Sequence, residues 1–365
     1  MKNNIWLLFA TLLSFFSVFF INREEINVDF NRYIDISIAA ILLMIFLTMV
    51  VLKKIPKKYL ILYGLIFLTT LPPLFINGLF NIHWLYLIFF FEILRTKYLP
   101  SKVGLNTICI LSLISALIQM YIFRAADARP VLSMGDPNYS SYYMMLLLSI
   151  LYYSHLKLLF IISSIITGLM ISRTFYVWLF TFIVLNLIKK IISKYDFIKS
   201  RLIFLFAIFL LPVVLSLVFL ELNPDPSVIY TSNYSRIFEY TDKSNIDRSL
   251  ATINYIVHSY RELHTIFSGN IISEYTETVF YNTPHVSVYQ TIFNYGILFL
   301  FLELYIFNIF FKINIFNDDF FIFIISLTIW MIFLGGVLFG PQLIILAIIM
   351  NKSLLFTFGK SYVKK

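Results

Sequence analysis

The sequence predicts an all-α protein that crosses a membrane many times. Of its 365 residues, 60 % are hydrophobic and only 13 % are charged, whereas a soluble domain carries about 25 % charged residues. The mean hydropathy is +0.87. Long apolar runs recur from end to end, and a spanning helix needs roughly 20 such residues. This composition excludes a pair of soluble domains, a collagen-like chain and a disordered chain.

Polar breaks divide the chain into about twelve predicted spans. The first apolar run is long for the hydrophobic region of a signal peptide and has no clear cleavage site, so we interpret it as a membrane anchor. The predicted spans are 5–21, 34–52, 59–75, 82–94, 103–123, 141–154, 158–172, 174–188, 202–220, 288–311, 320–337 and 342–357.

The basic residues at these breaks predict an orientation. The lysine-rich breaks at 53–58, 95–102 and 189–201 fall on one side when twelve spans alternate, which makes that side cytoplasmic. The net charge of +9 is therefore attributed to topology and not to nucleic-acid binding. The basic residues of the other face are, apart from Lys243, all arginines: Arg23, Arg32, Arg124, Arg129, Arg173, Arg236, Arg248 and Arg261. Arginine binds phosphate oxygens through a planar fork, so the outer face is predicted to bind an anionic ligand or lipid headgroups.

One loop is far longer than the others and divides the chain into three regions. Residues 1–220 hold spans one to nine, 221–287 form a long extracytoplasmic loop, and 288–365 hold spans ten to twelve with a cytoplasmic tail. Loops of that length are usually functional. Within it, apolar residues recur at helical spacing from Ile246 to Ile266, which predicts an amphipathic helix ending near Gly269. This helix lies on the membrane, caps a cavity or packs on the helix bundle.

Several polar residues stand out at the outer ends of the spans. His285 lies where the chain re-enters the membrane after the long loop, and its ordinary pKa of about 6.5 suits a general base. Asp136 and Asn138 belong to a turn before span six, and Arg173 interrupts an apolar stretch. In span ten, Glu303 is predicted to face a polar cavity, to pair with an outer arginine or to pack between helices. Each of these also has a purely structural interpretation.

The sequence gives no sign of a metal or another cofactor. Cys109 is the single cysteine, which excludes an intrachain disulfide and a CxxC site. The outer segments contain neither a D-x-D motif nor a His/Cys cluster. We therefore predict chemistry that needs no metal.

Four segments in order resemble a known family. They are Gly135-Asp136-Pro137-Asn138, Ser172-Arg173-Thr174, an arginine at the start of the amphipathic helix, and the histidine re-entry that ends in Asn294-Tyr295-Gly296. The chain resembles the O-antigen polymerase/ligase superfamily, membrane glycosyltransferases of surface-polysaccharide assembly. The motifs cover residues 130–300, and the remainder is similar in topology alone. In the family an Asn usually follows the re-entry histidine, whereas Val286 stands here.

The resemblance implies a GT-C type bundle in the bacterial cytoplasmic (inner) membrane, with its active site facing the periplasm. Donor and acceptor would be undecaprenyl-pyrophosphate-linked oligosaccharides, with membrane lipid and a chain-length regulator as further partners. Arg173 and Arg248 are the implied diphosphate ligands and His285 the general base. Arg236 is the alternative to Arg248. The substrate-binding candidates are Arg236, Arg261, Arg124, Asp136, Asn138 and Tyr289.

Other functions remain open at this point. A ligase that transfers the glycan to a lipid A core uses the same donor, and the variable sequence of polymerases favours the polymerase. Glu24-Glu25 in the first outer loop weakly favours a polyprenyl-monophosphate sugar transferase. A flippase for the same lipid-linked glycans is the non-enzyme alternative, but transporters commonly show internal repeats and none is evident here.

Overall fold

A computed structural model describes residues 5–20, 28–77, 83–125, 129–133, 135–192, 194, 201–222, 243–279, 283–335 and 340–362. Within these ranges every regular element is an α-helix, as predicted, and one isolated β-bridge joins Arg124 to Pro130. In chain order the helices are α1 Ile5–Phe20, α2 Val28–Val51, α3 Lys57–Leu68, α4 Leu71–Asn77, α5 His83–Thr96, α6 Lys102–Ile122, α7 Pro137–Tyr153, α8 Lys157–Gly168, α9 Arg173–Leu187, α10 Lys189–Ile192, α11 Arg201–Leu222, α12 Lys243–Arg261, α13 His264–Ser268, α14 Ile272–Val279, α15 Ser287–Tyr295, α16 Ile297–Asn314, α17 Asp318–Phe333 and α18 Gln342–Tyr362.

Three apolar runs among the described residues are long and apolar enough to cross a membrane: 57–77, 102–122 and 203–221. The first joins α3 to α4, and the other two lie in α6 and α11. Apolar side chains on these runs are exposed, such as Ile61, Ile118 and Leu217, which is the expected arrangement where lipid replaces water. Six shorter apolar helices accompany them. The described part of the chain is therefore helical and contains segments that are long and apolar enough to cross a membrane, and the count of twelve spans stays a prediction.

The helix boundaries follow the predicted spans with two differences. The run predicted as 59–75 divides into α3 and α4, because Pro72 and Pro73 are accommodated only in the first turn of a new helix. The run predicted as 288–311 divides into α15 and α16 at Gly296. Between residues 137 and 187 the chain forms three separate helices, as expected, with turns at His155 and Ile171, whose φ angles are +62° and +50°.

The chain forms two compact units. Unit 1 comprises residues 1–65, 82–176 and 339–365. Its core is built on α18, which packs on α5 and α7. The Asn351 amide in α18 donates hydrogen bonds to the carbonyls of Ile93 (2.9 Å) and Tyr98 (3.1 Å). The Ile93 carbonyl also accepts from the backbone N–H of Tyr98 at 3.0 Å, so the amide ties both the end of α5 and the turn that follows it to α18.

A second polar cluster lies in α3 and α5 of unit 1. Glu92 is buried, pairs with Arg95 at 2.5 Å and accepts a hydrogen bond from the Tyr63 hydroxyl. A buried carboxylate needs such partners. Glu92 therefore has a structural role.

Unit 2 comprises residues 66–81 and 177–338. Here α11 packs against α12 and α17, while α13 packs against α4 and α15. The Nζ of Lys189 lies 2.7 Å from the Oδ2 of the buried Asp319, which joins α10 to the start of α17. The two residues belong to breaks that the charge pattern assigns to the same side of the membrane, so this pair agrees with the predicted alternation.

The amphipathic helix of the long loop packs on the helix bundle of unit 2. It was predicted over 246–266 and is observed as α12 followed, after a turn, by the short helix α13, which ends before Gly269. The buried side chains of Ile246, Ala251 and Tyr255 lie on α12, whose main neighbour is α11. These contacts support the predicted packing on the bundle, and residues of α12 also line two cavities.

Candidate functional site: an arginine corner and an arginine–histidine cavity

A corner of unit 1 gathers two of the segments on which the family resemblance rests. We call residues 124–125, 129–133, 135–139 and 171–173 the arginine corner. Asp136 caps α7: its carboxylate accepts hydrogen bonds from the backbone N–H groups of Asn138 (2.6 Å) and Tyr139 (3.0 Å). Pro137 follows at the first helical position. This combination is a strong helix start.

Side-chain bonds join this helix start to the beginning of α9. The hydroxyl of Ser172 donates to the Oδ1 of Asn138 at 3.0 Å. The guanidinium of Arg129, which is buried, donates to the carbonyl of Ile171 at 3.0 Å. The bond from Arg129 supports Ile171 in the left-handed region, which is costly for a β-branched residue. The Gly-Asp-Pro-Asn and Ser-Arg-Thr segments are therefore neighbours within unit 1.

Two arginines of this corner differ in their surroundings. Arg173 is half-buried and is the first residue of α9, so it stands at a helix N-terminus, where backbone N–H groups attract anions. Arg124 is exposed and its guanidinium donates to the carbonyls of Met120 and Phe123 at the end of α6. Arg124 thus caps a helix C-terminus, and its predicted contact with substrate stays a prediction.

Unit 2 contains a narrow cavity lined by both Arg248 and His285. We call it the Arg248 cavity; α11, α12 and the C-terminal end of α17 form its walls, and Ser216, Ser249 and Thr252 add hydroxyl groups. Its enclosed volume is about 40 Å³, enough for one small polar group of a larger ligand. Arg248 and Thr252 lie one turn apart on α12, so their side chains share a face.

The two charged candidates of this cavity are held differently. Arg248 is half-buried, and its guanidinium makes no hydrogen bond or ion pair with any part of the chain that the structure describes. His285 is half-buried just before α15, and it has its own side-chain contacts. A cation and an imidazole that line one cavity can act on the same bound group. Arg173 belongs to unit 1, so its predicted action together with these two stays a prediction.

Tyr289 has an observed structural contact. Its hydroxyl donates to the carbonyl of Phe209 at 2.7 Å, and this bond holds α15 against α11. Phe209 lies three residues before Pro212, a proline within α11. The substrate-binding role predicted for Tyr289 stays a prediction.

Two glycines join the long loop to the membrane helices. Gly269 (φ +72°, ψ −175°) ends α13, and Gly296 (φ +78°, ψ 166°) divides α15 from α16. Both angles lie in a region that is essentially restricted to glycine. A Cβ on Gly296 would lie 2.1 Å from the carbonyl oxygen of Phe267, and one on Gly269 would lie 3.0 Å from that of Phe293. The glycine of the Asn-Tyr-Gly segment thus allows the backbone at residue 296 to lie against the backbone at residue 267.

The remaining candidates are placed as follows. Arg261 is exposed on a second, larger cavity that also contains His258 and Asn270, which the sequence did not single out. Arg236 lies outside the described residues. Glu303 is fully buried, and neither of its carboxylate oxygens has a hydrogen-bond partner among the described residues. Of the three predictions for Glu303, pairing with an outer arginine is not observed.

In the described part of the chain, no three His, Cys, Asp or Glu side chains lie close enough together to hold a metal ion. Comparison with models of protein families, with curated proteins and with solved structures gives no match to this chain.

Proposed function

We propose that this chain is a membrane glycosyltransferase that polymerises a surface polysaccharide such as O-antigen. It would join undecaprenyl-pyrophosphate-linked repeat units on the periplasmic face of a bacterial cytoplasmic membrane. The observation that carries this proposal is the Arg248 cavity, in which an imidazole and a guanidinium with no partner among the described residues line the same small space. The residue order of the resembling segments supports it.

The reaction needs one base and one set of fixed positive charges. A hydroxyl oxygen of the acceptor sugar attacks the anomeric carbon of the donor, and a new glycosidic C–O bond forms. The bond from that carbon to the diphosphate oxygen breaks, and the leaving lipid diphosphate keeps the electron pair. The acceptor proton passes to the imidazole of His285, which acts as general base.

In this scheme, arginine side chains stabilise the negative charge of the leaving diphosphate. Arg248 has no protein partner among the described residues, so it is available to pair with a diphosphate oxygen. A preorganised donor aimed at developing negative charge stabilises the transition state more than the ground state. Arg173, at the start of α9, is the second proposed diphosphate ligand. Arg236 stays the alternative to Arg248 from the sequence.

His285→Ala tests the proposal in cells. The source strain with this gene deleted is complemented with wild type or with His285→Ala, and surface polysaccharide and lipid-linked glycans are compared on gels. We expect cores that bear single repeat units in the deletion strain, and a full ladder with wild type only. Membrane extracts must show equal amounts of both proteins.

The same experiment separates the competing functions. Bare cores together with long lipid-linked chains would identify a ligase. Repeat units retained on the cytoplasmic leaflet would identify a flippase and overturn the enzyme. A full ladder with His285→Ala would remove the histidine from the mechanism.

A further inference from the structure

The larger cavity of unit 2 has a separate chemistry. We call it the Asn270 cavity; it has a volume of about 520 Å³ and lies between α12, α13, α14 and Asn77 of α4. Asn77 donates to the carbonyls of Ser268 (3.0 Å) and Gly269 (3.1 Å), so the wall is tied together across the sequence. The cavity shares no lining residue with the Arg248 cavity.

Two residues that line this cavity each carry a buried donor group without a hydrogen-bond partner among the described residues. Asn270 is 5 % exposed and Tyr275 is 2 % exposed. Neither the Nδ2 of Asn270 nor the hydroxyl of Tyr275 has a hydrogen-bond partner among the described residues. The Nε2 of His258 lies 3.2 Å from the Oδ1 of Asn270, which directs the free Nδ2 away from the histidine. Buried polar groups are nearly always hydrogen-bonded, so two such donors in one cavity indicate a ligand with acceptors.

The remaining lining residues define the class of that ligand. Glu262 and Glu274 supply carboxylate acceptors, and Thr278 supplies a hydroxyl. Among the described residues, Arg261 is the one arginine or lysine that lines the cavity, so the carboxylates disfavour a phosphate. Burial raises the pKa of Tyr275 to about 12, which keeps its hydroxyl neutral and able to donate. A ligand that meets both donors and acceptors must itself carry both, and hydroxyl groups do so.

We propose that the Asn270 cavity binds a sugar residue of the growing glycan, away from the bond that reacts. This inference rests on the proposed function for the identity of the glycan. The helix α12 connects the two cavities: Arg248 lies near its start, Thr252 and Asn254 lie at its middle, and His258 and Arg261 lie towards its end. Ten residues of helix separate Arg248 from His258, a rise of about 15 Å. The bound sugar would therefore lie a few sugar residues away from the reacting end of the glycan.

The test uses full-length protein in detergent and the free oligosaccharide that mild acid releases from the strain's lipid-linked glycans. Saturation-transfer NMR measures binding for wild type, Tyr275→Phe and Tyr255→Phe. Tyr255 is the matched control, because it is equally buried, packs beside Tyr275 at 6.3 Å between ring centroids, and is not among the described residues that line the cavity. Maltose serves as a non-cognate sugar.

We expect Tyr275→Phe to weaken oligosaccharide binding about three- to tenfold, the loss of one hydrogen bond, while Tyr255→Phe leaves it unchanged. The thermal midpoint should not fall for Tyr275→Phe, since this variant removes a buried hydroxyl that has no hydrogen-bond partner among the described residues. A purely structural Tyr275 would therefore give the same affinity as wild type, and that result would overturn the proposal. Absence of binding to wild type would overturn it as well.

The two proposals fail in different ways. If wild type builds the polysaccharide ladder but Tyr275→Phe binds the oligosaccharide normally, the sugar site is wrong and the polymerase stands. If Tyr275→Phe weakens binding but deletion of the gene leaves the ladder intact, the sugar site stands and the polymerase is wrong.

Discussion

The arginine corner of unit 1 and the two cavities of unit 2 use similar residues in opposite ways. In the corner, Asp136, Asn138 and Arg129 are satisfied by neighbouring backbone and side-chain groups. In unit 2, Arg248 and Asn270 have donor groups that no described part of the chain satisfies. Polar groups that bond one another hold the fold together, whereas polar groups left facing a cavity are available to a ligand.

This difference divides the segments that resemble a glycosyltransferase family. In the Gly-Asp-Pro-Asn segment, Asp136 caps α7. The serine of Ser-Arg-Thr forms a hydrogen bond that joins α9 to α7. Both segments therefore have a structural role. Arg248 has no such account. We therefore expect substitutions in the corner to change stability and substitutions in the cavities to change activity, with Arg173 as the member of the corner that should break this division.

The largest expected effect comes from the two proposed diphosphate ligands. Arg173→Ala and Arg248→Ala should each lower glycosyl transfer about 100- to 1,000-fold, the usual effect of removing one transition-state donor, with the protein still inserted. Polymerisation is measured with purified protein and lipid-linked repeat units.

Lysine at either position is the matched comparison, since it keeps the charge but loses the planar fork, and partial activity is expected. Full activity of Arg173→Ala would confine the chemistry to unit 2. Full activity of Arg248→Ala would leave the Arg248 cavity without a role in transfer.

The next effect is on folding. Gly296→Ala should destabilise the protein by about 2 kcal/mol or more, because the φ/ψ region is restricted to glycine and the new Cβ would overlap the carbonyl of Phe267. The thermal midpoint in detergent measures the change.

Gly64→Ala is the control, since its Cβ meets nothing within 4 Å and alanine favours the interior of α3. We expect this variant to match or exceed wild type. Equal midpoints for Gly296→Ala and wild type would show that α15 and α16 do not depend on the glycine contact.

The smallest effect should come from the corner. Asp136→Ala removes both cap bonds of α7 and should cost about 1 kcal/mol of stability, seen as a lower thermal midpoint. Asp136→Asn keeps the cap and should behave like wild type. Activity per folded molecule should be unchanged in both. A strong loss of activity in the asparagine variant would instead support the sequence-based prediction that Asp136 binds substrate.

The positions of the helices could be predicted from the sequence, because the helices mostly coincide with apolar runs and their ends with polar breaks. The division at Gly296 was missed, since an isolated glycine inside an apolar run is usually tolerated in a helix; its φ angle depends on contact with residues 267 and 269, which are distant in sequence. Pro72 and Pro73 did carry a local signal for the break between α3 and α4.

The candidate sites were predicted less completely. Arg248 and His285 were identified from charge and position, but their common cavity requires α11, α12 and the end of α17 to meet. The Asn270 cavity was not identified, although Asn254, His258 and Arg261 recur at four- and three-residue spacing on α12 and so mark a polar face. Local spacing cannot predict that α13, α14 and Asn77 pack close to that face.

The contact between Gly269 and the backbone beside Gly296 also bears on how such a protein can diversify. It fixes both ends of the intervening segment, which carries α14, Tyr275 and His285, next to each other at the start of α16. Residues within that segment can change, and with them the shape of the Asn270 cavity, without altering the register of the membrane helix that follows. The contact thereby separates changes in the lining of the Asn270 cavity from the register of α16.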